Sequence, residues 1–279
     1  AQAIWVKIWL FEMALATAVT ARGGPVFLAF DIYGTLVNPF GLQQKLAELL
    51  RAVPDQAVAS DAAISQVNAV WRQQQLALTW RRNSMRRYAP FPTCTAQALD
   101  TALASQRVSL PPESKAALLE LYTKLPAYED TKKALAELAA LPHVHLAAFS
   151  NGTRADVEAL LKHAELAEYI EAVVSCDDVQ VFKPCPEVYL HARETLLKLT
   201  RTGDADGVHK GEEGTDEGAP DVWLVSSNNW DCTGALSSGH LKAAWVQRDP
   251  ANMPPDGGFG VEPTVVLNNL EELRAALGL

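Results

Sequence analysis

The stretch Val26-Phe27-Leu28-Ala29-Phe30-Asp31-Ile32-Tyr33-Gly34-Thr35-Leu36 decides how this chain is read. Its first five residues form an apolar, β-prone run, which predicts a buried strand of a parallel sheet. The run delivers Asp31 to the strand tip, and Gly34 and Thr35 let the chain turn sharply. Open α/β sheets place their chemistry at the carboxyl ends of central strands. On its own, an aspartate there is read equally well as the cap of a turn.

Three more segments repeat the plan of apolar strand and polar tip. Residues 145–149 run into Ser150-Asn151-Gly152, and residues 222–225 run into Ser226-Ser227-Asn228-Asn229-Trp230-Asp231. Between them, Lys183 stands in VFKPCPEVY ahead of a helix opened by proline. Further strands are expected at 171–175, 243–246 and 264–267, with one helix starting at about Asp130, one running through Leu161, and others at 187–199 and near 270–277. Such alternation predicts an α/β fold, a doubly wound parallel sheet covered on both faces.

Residues 41–126 interrupt this alternation. Leu42, Leu46, Leu49 and Leu50 share one helical face, and Ser60-Asp61 opens a helix carrying Ile64, Val67 and Trp71 on one side. Pro111-Pro112 precedes a last helix of this stretch, ending near Leu125. A helical domain inserted into an α/β core of residues 25–40 and 127–279 is therefore expected. Residues 201–220 are rich in Gly, Asp and Glu and are read as a mobile surface loop. Residues 1–24 include AIWVKIWLFEMALATAV, too short and too charged to span a bilayer. An extra packed helix is the preferred reading, with a secretory signal as the weaker one.

The chain has 279 residues, is 48% hydrophobic and carries a formal net charge of −9, enough for a full core and unfavourable to nucleic acid or an anionic membrane as partner. Its four cysteines form no CxxC pair and suit a reduced, cytoplasmic protein. Arg72, Arg81, Arg82, Arg86 and Arg87 cluster in one helical stretch, four of them read as a solvated face.

Aspartate, hydroxyl with amide, lysine and a second acidic tip, in that order, resemble the four-part pattern of the haloacid dehalogenase superfamily. The resemblance covers nearly all the chain from Val26 onward. It implies a Rossmann-like core and an inserted helical cap. Phosphatases of that superfamily carry a second aspartate where this chain has Tyr33, and usually paired acidic residues where SSNNWD offers Asp231 alone. WRQQQLALTW, MRRYAPF, FKPCPEVY and SSNNWD resemble the L-2-haloacid dehalogenase branch, although Leu78, Arg81 and Ser84 depart from it.

That resemblance implies a small 2-haloacid as substrate, halide as product, no cofactor or metal, and a homodimer. Asp31 is then the nucleophile, Lys183 its counter-charge, and Thr35 and Ser150 are hydroxyl donors to it. Ser226 and Asn228 order the site, Tyr189 lies nearby, and Asp231 handles the hydrolytic water. The plainer reading of Asp231, compatible with that role, is the N-cap of the helix through Ala235. Arg72 binds substrate carboxylate or halide with Asn151 as a second halide donor, while Tyr33, Gln73, Leu76, Phe91 and Trp230 line the pocket. Two alternatives stand beside this: a magnesium-dependent phosphatase of the same fold, and a catalytically idle relative kept for binding or assembly.

Overall fold

The computed structural model describes residues 24–53, 60–199, 220–248 and 256–279. The expected amino-terminal helix and, except for Pro220, the expected 201–220 loop lie outside them. Six parallel strands form one sheet: β1 (Val26–Phe30), β2 (Val144–Ser150), β3 (Ala172–Ser175), β4 (Asp221–Ser226), β5 (Lys242–Val246) and β6 (Val265–Leu267). The strand order is β3-β2-β1-β4-β5-β6. The chain steps outward to β3, then returns across β1 to build β4–β6. Strand order thus reverses beside β1, and the crevice at such a reversal is where these sheets bind ligands.

Register aligns the strand tips. Phe30 is level with Ala148 of β2 and Val225 of β4, so Asp31 emerges beside Phe149 and Ser226. Phe27, Leu28, Ala29 and Phe30 are wholly buried, which explains the unbroken apolar run. Each large side chain so buried stabilises the fold by roughly 1.5–3 kcal/mol.

Residues 41–126, inserted after β1, carry four α-helices among those described: α1 (Gln43–Arg51), α2 (Asp61–Met85), α3 (Phe91–Ser105) and α4 (Pro112–Glu120). Helix α2 starts where Ser60 Oγ accepts the Ala63 N–H, and it stops at Arg86 in a left-handed conformation (φ 53°). Its buried residues Ile64, Val67, Trp71, Gln75 and Thr79 recur at the helical period and pack towards α3. Helix α4 ends at Glu120, followed by a single 3-10 turn, rather than continuing towards Leu125.

The remaining helices cover the sheet: α5 (Thr131–Ala139), α6 (Arg154–His163), α7 (Pro186–Leu196), α8 (Asn229–Ser238) and α9 (Leu273–Leu277). Helix α7 is shorter than the 187–199 expected. The last expected helix is divided into a 3-10 turn at 270–272 and α9. Among the described residues no helix is long and apolar enough to cross a membrane.

Candidate active site

Asp31 leaves β1 with little exposure, and donors converge on both of its oxygens. Oδ2 accepts from Asn228 Nδ2 at 2.7 Å, Thr35 Oγ1 at 2.9 Å and Ser226 Oγ at 3.4 Å. Lys183 Nζ lies 3.2 Å from Oδ1. All four groups donate, so the side chain they meet is an acceptor, as a carboxylate is. Thr35 is fixed in turn, since its Oγ1 accepts the Ser227 N–H at 2.8 Å. The turn that returns Thr35 depends on Gly34, whose φ of +96° few other residues adopt.

Lys183 is completely buried and serves two carboxylates. Its Nζ donates to Asp231 Oδ2 at 2.8 Å as well as to Asp31, and to the Phe149 carbonyl at 2.9 Å. Burial alone would lower the lysine pKa, but the charges of Asp231 and then Asp31 outweigh it, holding the ammonium above its ordinary value of 10.5. Asp231 is pushed up from its ordinary value, first by burial and further by Asp31, while Lys183 opposes the shift. Tyr189 Oη donates to Asp231 Oδ1 at 2.7 Å, and its phenol is raised well above normal, chiefly by burial. Gly234 makes room for this pair: a Cβ there would lie 2.5 Å from both Tyr189 Oη and Pro184 Cβ.

Arg72 reaches the site from α2. Its Nη1 donates to Gln75 Oε1 at 2.8 Å and its Nη2 to the Tyr33 carbonyl at 3.3 Å. Tyr33 is nearly buried, and its ring lies 5.5 Å from Phe91 and 5.7 Å from Tyr122. Burial first, then Tyr122 and Asp156, push its phenol above the ordinary value. Trp80 of α2 and Trp230 form a separate aromatic pair, edge to face at 5.5 Å.

Most of the residues singled out in the sequence therefore meet here, but three particulars differ. Ser150 does not donate to Asp31: its Oγ accepts the Gly152 N–H at 3.0 Å and so shapes the turn after β2. Gln73 lies exposed on the flank of α2. It follows Arg72 by one position, about 100° around the helix, whereas Gln75 and Leu76 at i+3 and i+4 share the arginine's face. Asp231 is not the side-chain cap of α8, since Asn228 occupies the cap position and both Asp231 oxygens are engaged. Asn151 sits beside Lys183, its Oδ1 accepting the Lys183 N–H at 3.0 Å, which leaves Nδ2 as its donor end. Leu76 and Trp230 are half-buried.

Several participants went unnoticed in the sequence. Gln75 is wholly buried beside Arg72. Asn83 binds both the N–H and the carbonyl of Phe182, at 3.0 and 2.7 Å, next to Lys183. Arg248, just beyond β5, donates to the Thr35 carbonyl from Nε at 3.2 Å and Nη2 at 2.7 Å, and pairs with Asp130. Burial raises all four cysteine thiols, Cys176 to about 12 and Cys232 well above normal, which disfavours the thiolate.

The sequence model of the haloacid dehalogenase-like hydrolases matches residues 27–202. An (S)-2-haloacid dehalogenase of Pseudomonas putida is 31% identical over 251 residues, covering 88% of this chain and 93% of the relative. The structure of L-2-haloacid dehalogenase from Xanthobacter autotrophicus superimposes with a TM-score of 0.69 at 29% identity, over 88% of this chain and 96% of that one. A second structure of that enzyme, with chloropropionic acid covalently bound, superimposes with a TM-score of 0.66 at 28% identity and the same coverage.

Proposed function

The chain belongs to the haloacid dehalogenase-like hydrolases, and on that premise we propose that it hydrolyses the carbon–halogen bond of short L-2-haloalkanoic acids, giving 2-hydroxy acids with inversion. One observation carries the reading. A carboxylate at the tip of the central strand is gripped by four donors, and one of them, Asn228, shares the Tyr33 carbonyl with an arginine whose described partners are neutral oxygens. Asp31 attacks the α-carbon, a carbon–oxygen bond forms, and the carbon–halogen pair of electrons departs with halide. Water then adds to the carbonyl carbon of the resulting ester, expelling the 2-hydroxy acid and restoring Asp31. Chloropropionic acid covalently bound in a relative is in keeping with a covalent step.

The remaining side chains take roles that suit their positions. Arg72 grips the substrate carboxylate, and Asn151 Nδ2 offers the departing halide a donor. Asp231 orients or deprotonates water through lone pairs left over from its bonds to Lys183 and Tyr189. Tyr33, Phe91, Leu76 and Trp230 bound the substrate. Residues 41–126 act as the cap over the core. Four free thiols suit a reduced cytoplasmic setting, and family resemblance carries the homodimer.

A magnesium phosphatase fits this donor set less well. The Lys183 ammonium already contacts both Asp31 and Asp231, where a shared divalent ion would have to bind. Where such a phosphatase needs an acid for its leaving group stands Tyr33, a phenol that burial makes a weaker donor still.

The test is a single turnover of L-2-chloropropionate in heavy-oxygen water, with enzyme and chelator in excess. Halide and D-lactate are expected, with the label in the Asp31 carboxylate and not in the product's new hydroxyl. Label entering product on the first turnover, with Asp31 unlabelled, overturns the nucleophile. Activity that vanishes with chelator and returns with magnesium revives the phosphatase.

A further inference from the structure

We propose that Gln75 is a specificity-determining positioning residue, which aims Arg72 while leaving its charge free for a carboxylate-bearing substrate. The inference rests on the reading of Arg72 above. Gln75 lies one helical turn beyond Arg72 in α2 and is wholly buried. Its Oε1 accepts from Arg72 Nη1 at 2.8 Å and from Tyr122 Oη at 3.3 Å, while its Nε2 donates to Thr95 Oγ1 at 2.6 Å.

Two constraints fix the direction of this amide. Arginine only donates, so the oxygen end of Gln75 must face it. On the other side, Thr95 uses its single hydrogen on the Phe91 carbonyl at 3.0 Å, so towards Gln75 it can only accept. Flipping the amide would set Nε2 against the guanidinium and Oε1 against a hydroxyl whose proton is committed. Buried polar groups left in that state are costly.

Charge is the second half of the argument. A glutamate at position 75 would have nearly the same shape and would bond Arg72 more strongly. It would also cancel the arginine's charge. Among the described residues no carboxylate pairs with Arg72, whose partners are the neutral Gln75 and Tyr33 oxygens. A neutral partner thus supplies orientation without competing with an anionic ligand, a selection made by what is withheld as much as by what is offered.

The test compares the parent with Gln75→Glu, using KM for L-2-chloropropionate and the inhibition constant of propionate, a carboxylate with no leaving group. Both constants should rise at least about tenfold, with kcat changing far less, as loss of a charge-assisted pair requires. Both staying within about twofold in a variant that melts like the parent overturns the proposal. If Gln75→Glu does not fold, Thr95→Val decides. It frees the amide to turn, so the propionate constant should rise at least about threefold, and an unchanged constant is a refutation. A parent that binds propionate but releases no halide counts against the dehalogenase reading, while the propionate comparison still judges Gln75.

Discussion

At the strand tips Lys183 lies within reach of two carboxylates, Asp31 at 3.2 Å and Asp231 at 2.8 Å, whereas on α2 Arg72 meets only the neutral oxygens of Gln75 and Tyr33. The difference follows from burial. Lys183 and Asp231 have no contact with water, and charges so placed are tolerable only when paired. Arg72 is half-buried, so water can serve it when the site is empty and a ligand can replace that water. The strand-tip half is complete without substrate. On the function proposed above, the substrate completes the helical half.

Substitutions in the two halves should therefore fail differently. Lys183→Met leaves two carboxylates facing each other in a dry site. Removing one partner of a buried pair costs about 3–5 kcal/mol, to be read from the urea midpoint. Halide release should fall about 10²–10³-fold, the usual effect of deleting a central electrostatic group. The pH dependence has a definite sign. Because the folded lysine titrates above 10.5, its stabilisation is complete below that value and fades as pH rises through the higher folded one. A stability gap between parent and variant that has already closed by about pH 9 would break the comparison, since the ammonium would not then be held by the carboxylates.

Arg72→Lys keeps the charge but loses the planar fork. A charged hydrogen bond is worth roughly 1.5–3 kcal/mol, so kcat/KM should fall at least about tenfold. Most of that loss should appear in KM, and the urea midpoint should hardly move, because no buried charge is orphaned. A variant with normal KM but a lowered midpoint would put Arg72 on the structural side of the division.

The strand-tip half was also far more legible in the sequence. Asp31, Ser226, Asn228 and Asp231 follow apolar runs directly, and parallel strands in register bring their ends together wherever the helices go. For Ser150 the sequence marks the strand tip but not the bond it makes, because whether a tip hydroxyl turns to a neighbour or to its own turn depends on local backbone geometry. On α2 the helical period identified Ile64, Val67 and Trp71 as inward-facing, and the same count from Arg72 leads to Gln75 and not Gln73. That signal was present and outweighed by likeness of motif. Arg248 and Asn83 offered none: one arginine past an expected strand, and an asparagine within a basic run, announce no partner. Their contacts with Thr35 and Phe182 join residues 213 and 99 positions apart, which only the folded chain brings together.

Asn83 stands at the seam between the halves, and its replacement is the smallest effect expected. It belongs to α2, yet its amide spans the Phe182 peptide next to Lys183, with Oδ1 accepting at 3.0 Å and Nδ2 donating at 2.7 Å. Nearby, Tyr88 bonds Asp177 and its ring lies 4.9 Å from Phe182, so the clamp does not rest on Asn83 alone. Asn83→Ala forfeits two ordinary hydrogen bonds where water can partly compensate, a stability loss of about 1–2 kcal/mol. The consequence for catalysis depends on which half the seam serves. If it steadies the lysine, kcat should fall a few-fold, on the order of threefold, with KM and the propionate inhibition constant unchanged. The opposite split, with raised constants and normal kcat, would mean that Asn83 works through the cap to hold Arg72 over the site. Steady-state kinetics on the one variant separates these cases, because only the Arg72 half is expected to sense a carboxylate without a leaving group.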